Sequence, residues 1–226
     1  MVGTKTLPLV DSIKYLGVYI DHQFTWKSHI NSVCKKIAPI IGILSKIRYL
    51  LTFSILRQLY FALIHPHILY CIEAWGSTYE IHAKPLITLQ KRAVRVITFS
   101  PPQCHTEDLF KFIKILPFHK LYFSTVCLLV YNELSNMSSV KFGFQDCFSS
   151  HCYNTRNRNI MSQSHHRTNY FCQSVLNTGP KFYNLVPNKI KNSFSVFSFK
   201  SKLKHWLLNE NLDVYSYIYP HRKLSS

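Results

Sequence analysis

The stretch Ser12-Ile13-Lys14-Tyr15-Leu16-Gly17-Val18-Tyr19-Ile20-Asp21, followed by Thr25-Trp26-Lys27-Ser28-His29-Ile30, decides how the rest of the chain is read. Ile13, Tyr15, Val18 and Ile20 supply β-branched and aromatic side chains suited to a pleated surface, and Gly17 marks a bend. Residues 7–21 therefore read as a hairpin or two short strands, with Asp11-Ser12 as the turn. Such a piece is marginal in water unless it packs against something else. Immediately afterwards the period changes. Trp26, Ile30, Val33, Ile37, Ile40, Ile41, Leu44, Ile47 and Leu51 fall at helical spacing, with Thr25 as the expected N-cap and with Pro39 and Gly42 as expected points of bending or splitting.

The helical pattern continues. A second helix is expected over Phe53 to Leu63, capped by Thr52 or Ser54, interrupted at Pro66, resumed through Ile68 to Trp75 and stopped by Gly76. A third, about Pro85 to Phe99, turns Leu86, Leu89, Ala93, Val96 and Ile97 inward and Lys84, Lys91, Arg92 and Arg95 outward. Shorter helices follow near Asp108 to Ile115 and over Phe118 to Leu134. Residues 135–170 are rich in Ser, Asn, His and Gln without a sustained period and read as a loop or linker. A basic unit over 171–212 carries one helix at about Phe197 to Asn209 behind Ser195, and 213–226 read as a tail. The expected fold is thus mainly α: a hairpin within 1–24, a helical bundle over 25–134, the linker, and a small basic C-terminal helical unit.

Composition narrows the function. With 226 residues, 47% of them apolar and 15% aromatic, the chain can bury a sizeable core, which excludes disorder throughout. Its formal charge of +17, from 27 Lys and Arg against 10 Asp and Glu, favours polyanionic partners. The excess is sharpest over 147–226, where 11 basic residues face Glu210 and Asp213 alone. Seven scattered cysteines read as reduced thiols of an intracellular protein. Neither a signal-peptide pattern nor a run of about 20 apolar residues is visible, so no membrane partner is expected.

The motifs repeat the order found in one family. The Tyr15-Leu16-Gly17 segment resembles the primer-gripping hairpin of reverse transcriptases from non-LTR retrotransposons of the jockey type. In the same order and at similar spacing come Gln58-Leu59-Tyr60, Ala62-Leu63-Ile64, Pro66, Tyr70, Trp75-Gly76, and Leu89 to Ile97. Tyr153-Asn154-Thr155-Arg156, Gly179, Asn184-Leu185-Val186-Pro187 and Phe199 to Lys204 resemble the tail of that family, although Phe182-Tyr183 stands where a Trp commonly precedes the Asn. The resemblance runs from about Leu7 to about Leu208. It implies the end of the palm, a helical thumb and the C-terminal region of an RNA-directed DNA polymerase, with the catalytic palm and fingers as missing partners. It also implies a nuclear location for an active element and Mg²⁺ only in the intact polymerase.

Polymerisation by two metal ions needs carboxylates held close together. The aromatic-Ala-Asp-Asp turn of the family is absent, and Asp11 and Asp21 read as turn and cap residues bracketing the hairpin. No catalytic residue and no cofactor is therefore expected. The expected functional groups are Tyr15, Leu16 and Gly17 at the primer, and Lys91, Arg92, Arg95, Arg156, Lys200, Lys202 and Lys204 on the phosphates of an RNA-DNA hybrid or other nucleic acid. Phe199 and Trp206 are either stacking groups or core, with core favoured. Cys147, His151, Cys152, His165, His166 and Cys172 collect ligand-type residues, but at intervals unlike those of a zinc site, so no metal site is assigned. Two other readings stay open: an independent basic helical module that binds nucleic acid or protein, and a transposon relic without function.

Overall fold

The computed structural model describes residues 10–139, 141–144, 160–163 and 168–219. It is mainly α-helical, with one antiparallel hairpin at its start. Strands β1 (Ser12–Tyr15) and β2 (Val18–Asp21) pair Ser12 with Asp21 and Tyr15 with Val18. The turn is therefore Leu16-Gly17 and not Asp11-Ser12, because φ is positive at both Leu16 (45°) and Gly17 (85°), the signature of a type I′ connection. Gly17 adopts this conformation freely, whereas Leu16 meets steric resistance there. Tyr70 offsets that resistance by donating its hydroxyl to the Leu16 carbonyl at 2.6 Å.

Helix α1 (Lys27–Ile47) is continuous, so Pro39 and Gly42 do not split it. Pro39 lies exposed while Ile30, Val33, Ile37, Ile41 and Leu44 are buried on the other face. Burial of five large side chains, at roughly 1.5–3 kcal/mol each, outweighs a proline cost of about 3 kcal/mol. The N-cap position falls to Trp26, in the left-handed conformation, not to Thr25. Asp21 does the capping from a distance: its carboxylate accepts from the backbone N–H groups of Thr25 and Trp26, both at 2.8 Å.

Helix α2 (Phe53–Leu59), N-capped by Thr52, runs through a π turn (Tyr60–Ile64) into α3 (His65–Leu69). Pro66 does not interrupt this rod; the widened turn just before it accommodates a residue without an N–H. The chain reverses at Tyr70 and Cys71, the latter left-handed, before α4 (Ile72–Trp75). Gly76 does end α4, and a Cβ there would lie 2.3 Å from the Tyr122 ring, so close approach is what requires glycine. Helix α5 (Glu80–Ile97) begins before the expected Pro85, which it tolerates near its exposed start. Helices α6 (Glu107–Ile113) and α7 (Phe118–Leu134) complete the body.

Helix α7 is the hub of the molecule. Its buried residues include Phe118, Tyr122, Phe123, Val126, Cys127, Val130 and Tyr131, too many for one face. Of the C-terminal helices α8 (Asn169–Gln173), α9 (Val175–Leu185), α10 (Asn188–Lys191) and α11 (Val196–Asn209), α9 and α11 pack on it, with α8 against α9 and α10 against α11. Phe182 stacks on Phe123 at 4.6 Å and Phe199 on Tyr131 at 4.1 Å. The expected boundary between bundle and C-terminal unit thus does not interrupt the core, which is continuous from Val18 to Ile218.

The described parts of the expected linker are irregular but anchored. Glu133 accepts from the N–H groups of Phe142, Gly143 and Phe144, and Met161 exchanges backbone bonds with the Asn184 amide. The expected tail is corrected in part: Val214–Ile218 forms α12, with Val214, Tyr215 and Ile218 buried. Beyond it, Tyr219 donates to the Ser77 carbonyl at 2.7 Å. These apolar and aromatic side chains find unfilled surface on α7 and α9, which polarity-based reading of a chain end overlooks.

Candidate nucleic-acid interface

A cluster of cations surrounds a recess of about 430 Å³ between the α2–α3 rod, α7 and α11. Lys200 and Lys204, one turn apart on α11, line it together with Phe61 and His65. Buried Ile115, Leu116 and Leu121 supply apolar walls. Arg57 stands over the Phe61 ring at 5.1 Å from its centroid and Lys204 at 5.7 Å, so two cations share one aromatic face system. Arg57 is aimed by its Nε, which donates to the Ile113 carbonyl at 2.9 Å.

The charges here oppose one another. Lys204 is held below the ordinary lysine range by burial and then by Arg57, Lys200 and Lys114. The His65 imidazole, pushed down to about 4 by burial and then by Lys204 and Lys200, is neutral at pH 7. Its buried Nδ1 has no hydrogen-bond partner. Glu73 is the one carboxylate lining the recess, and none of Arg57, Lys114, Lys200 and Lys204 is ion-paired among the described residues. Four cations against one carboxylate leave a local excess of three positive charges. A polyanion is the natural counterpart of such a surface.

A second recess, of about 340 Å³, lies between α5, α6, the start of α7 and the end of α11. Lys91, Lys111 and Lys120 line it, but so do Glu107 and Glu210. Lys120 donates to the Glu210 carbonyl at 2.7 Å, and three cations against two carboxylates leave little net charge.

The structure separates the basic residues that the sequence groups together. Lys200 and Lys204 face the cationic recess, while Lys202 is exposed elsewhere on α11 and does not line it. On α5, Lys91 and Arg92 are exposed. Arg95 is instead engaged in the fold: Nε and Nη2 both donate to the Cys104 carbonyl, at 3.0 and 2.9 Å, holding the loop before α6. Arg156 lies outside the described residues. Tyr15, Leu16 and Gly17 form the exposed tip of the hairpin. They connect to the recess through two consecutive residues, since Leu69 lines it and Tyr70 bonds Leu16. Phe199 is fully buried, and Trp206 is half-buried with its indole N–H on Glu210 Oε1.

Arg57, His65 and Lys114 were not singled out by sequence. They stand far from Lys200 and Lys204 along the chain, and no local pattern marks them.

Asp21 is spoken for by the α1 terminus. Burial opposes ionisation, but the Thr25, Trp26 and Gln23 hydrogen bonds prevail and hold its carboxyl below the usual range. Among the described residues no group of three or more His, Cys, Asp or Glu is placed to hold a metal ion. Of the ligand-type residues noted in the loop, only Cys172 is described. Among the described residues no single helix is long and apolar enough to cross a membrane; α6 and α7 pass by length and composition only as a pair bent by 49°. No protein-family model, no curated protein and no solved structure matches this chain.

Proposed function

We propose that this chain is the template-primer-holding part of a non-LTR retrotransposon RNA-directed DNA polymerase, and that it holds nucleic acid without catalysing synthesis itself. The observation that carries the reading is the gathering of Arg57, Lys114, Lys200 and Lys204 round one recess without ion pairs. Like charges brought together raise the energy of a fold, so their retention is accounted for by a polyanion that relieves the repulsion. The polyanion of this reading is an RNA-DNA hybrid and the remaining partner is the palm and fingers that carry the Asp-Asp motif, as the resemblance in motif order implies. In this reading the Tyr15-Leu16-Gly17 tip faces the primer and Mg²⁺ belongs to the palm.

A second reading is favoured by the continuous core, which joins the bundle to the C-terminal helices without a gap. A body of that kind can serve as an independent basic module for nucleic acid or protein. Affinity of the purified chain for an RNA-DNA hybrid across a salt series, with single-stranded RNA as comparator, separates the two. The polymerase reading requires hybrid preference and a steep fall in affinity with salt. A folded chain that ignores both nucleic acids would overturn it and leave a protein partner.

A further inference from the structure

We propose that the recess beneath Lys200 and Lys204 holds one unpaired base of a nucleic-acid strand, with the adjoining phosphate on the two lysines and Arg57. This deepens the nucleic-acid reading and rests on it. Cations alone are enough to follow the backbone of a duplex. The recess adds what a duplex backbone does not use: about 430 Å³ of concave space, within the range of small-ligand sites, walled by buried Ile115, Leu116 and Leu121.

Its polar groups select the ligand. The half-buried Ser124 hydroxyl lines the recess without a hydrogen bond to the protein, and the His65 and Phe61 rings line it too. A base presents flat apolar faces together with donors and acceptors along its edge, and so meets the apolar walls, the rings and the Ser124 hydroxyl. The alkyl chain of an anionic amphiphile would fill the space and leave the Ser124 hydroxyl without a partner. The π turn at Tyr60–Ile64 places Phe61 at this opening, between the guanidinium of Arg57 and the ammonium of Lys204. Helical irregularities of this type are frequent at functional sites.

The test uses the full chain and a thymidine tetranucleotide, with the matching abasic tetramer carrying the same phosphates as the control. Burying one base predicts about tenfold tighter binding of the intact tetramer. Ser124→Phe fills the recess from α7 without changing charge and should bring the ratio below about twofold while leaving the abasic tetramer unaffected. Leu128→Trp, at another lining position, should do the same and guards against a misfolded first variant. Equal binding of the two tetramers by the unaltered chain overturns the inference, as does a tenfold ratio that survives both variants in folded protein. Displacement of the tetranucleotide by dodecyl phosphate at equal concentration would also overturn it, in favour of an amphiphile. Hybrid-duplex binding measured alongside separates the two levels. Duplex binding without tetramer discrimination removes the occupied recess only; discrimination without duplex binding removes the polymerase reading only.

Discussion

Two of the recesses on this molecule are of similar size but differ in charge. The one between the α2–α3 rod and α11 gathers Arg57, Lys114 and Lys200 about Lys204, with Glu73 as its one lining carboxylate, while the one between α5 and the end of α11 sets Lys91, Lys111 and Lys120 against Glu107 and Glu210. The same local count of lysines therefore means different things. In the second recess Glu107, Glu210 and a carbonyl offset part of the charge, although burial and then Lys111 still hold Lys120 below the ordinary lysine range. In the first the charge is left uncompensated, so only there does a polyanion gain from the whole excess. A net charge of +17 says that a polyanion is attracted; the partners of each cation say where it settles.

Gln90 ties the two recesses together, and its removal is the most damaging change expected. Its amide N–H groups donate to Tyr60 Oη and the Leu116 carbonyl, both at 3.0 Å, and its Oε1 accepts from the Phe118 N–H at 2.9 Å. All of this is buried. Gln90→Leu strands three polar groups at about 1–3 kcal/mol each, so urea denaturation should show a loss of at least ~3 kcal/mol. Both recesses should deform with it. A loss below ~1 kcal/mol would mean that the two walls are held independently.

The contrast in charge is tested next by paired substitutions. Lys200→Ala with Lys204→Ala should weaken hybrid binding about tenfold or more at low salt and flatten the salt slope by roughly 1–2. Lys91→Ala with Lys111→Ala should change affinity by less than about threefold. Equal losses from the two pairs would erase the distinction between the recesses. A sharper form uses stability: Lys204→Met removes a repelled charge while keeping the apolar stem, and should raise the unfolding temperature by about 1–3 °C while binding weakens. Opposite changes in affinity and stability are the mark of a charge kept for its ligand.

Acid probes both sides at once. His65 in the cationic recess and His119 beside the other one are each pushed down to about 4, chiefly by burial; Lys204 and Lys200 add to this for His65, and Lys91 and Lys120 for His119, where Asp213 opposes. An unfolded histidine titrates near 6.5, so the unfolded chain binds more protons between about pH 6.5 and 4. The stability from neutral histidines is complete above that window and is lost as pH falls through it. For each of the two the slope approaches ~1.4 kcal/mol per pH unit, and His119→Gln and His65→Gln should each flatten the pH dependence of urea denaturation. A dependence left unchanged by either substitution would mean that the histidine concerned is not held neutral by the fold.

Helix content was legible because apolar spacing over 26–134 is regular, and α7 was bounded by its flanking Pro117 and Ser135. The places where reading failed share a cause. Pro39, Pro66 and Pro85 are all tolerated within helices, since packing of the remaining face outweighs one lost hydrogen bond. The hairpin turn was misplaced because Asp-Ser is a common turn pair, whereas here Leu16-Gly17 depends on Tyr70, a partner 54 residues away. The recess was half legible. Lys200 and Lys204 stand out by charge, but Arg57 and Lys114 are ordinary helix-end cations until the fold brings them beside α11.

The smallest expected effect concerns the link between recess and hairpin. Leu69 lines the recess and Tyr70 latches the Leu16 carbonyl, so the end of α3 belongs to both. Tyr70→Phe removes only the hydroxyl and keeps the ring, which a Cβ at Gly17 would meet at 3.6 Å. One exposed hydrogen bond is worth at most about 0.5–1.5 kcal/mol net, and the loss should be confined to the strands. Amide exchange of β1 and β2 should then quicken by about tenfold at most, with affinity for the tetranucleotide unchanged. If affinity falls as well, the hairpin tip and the recess act as one surface, because a strained Leu16 released from its latch would be felt through the single peptide that separates Tyr70 from Leu69.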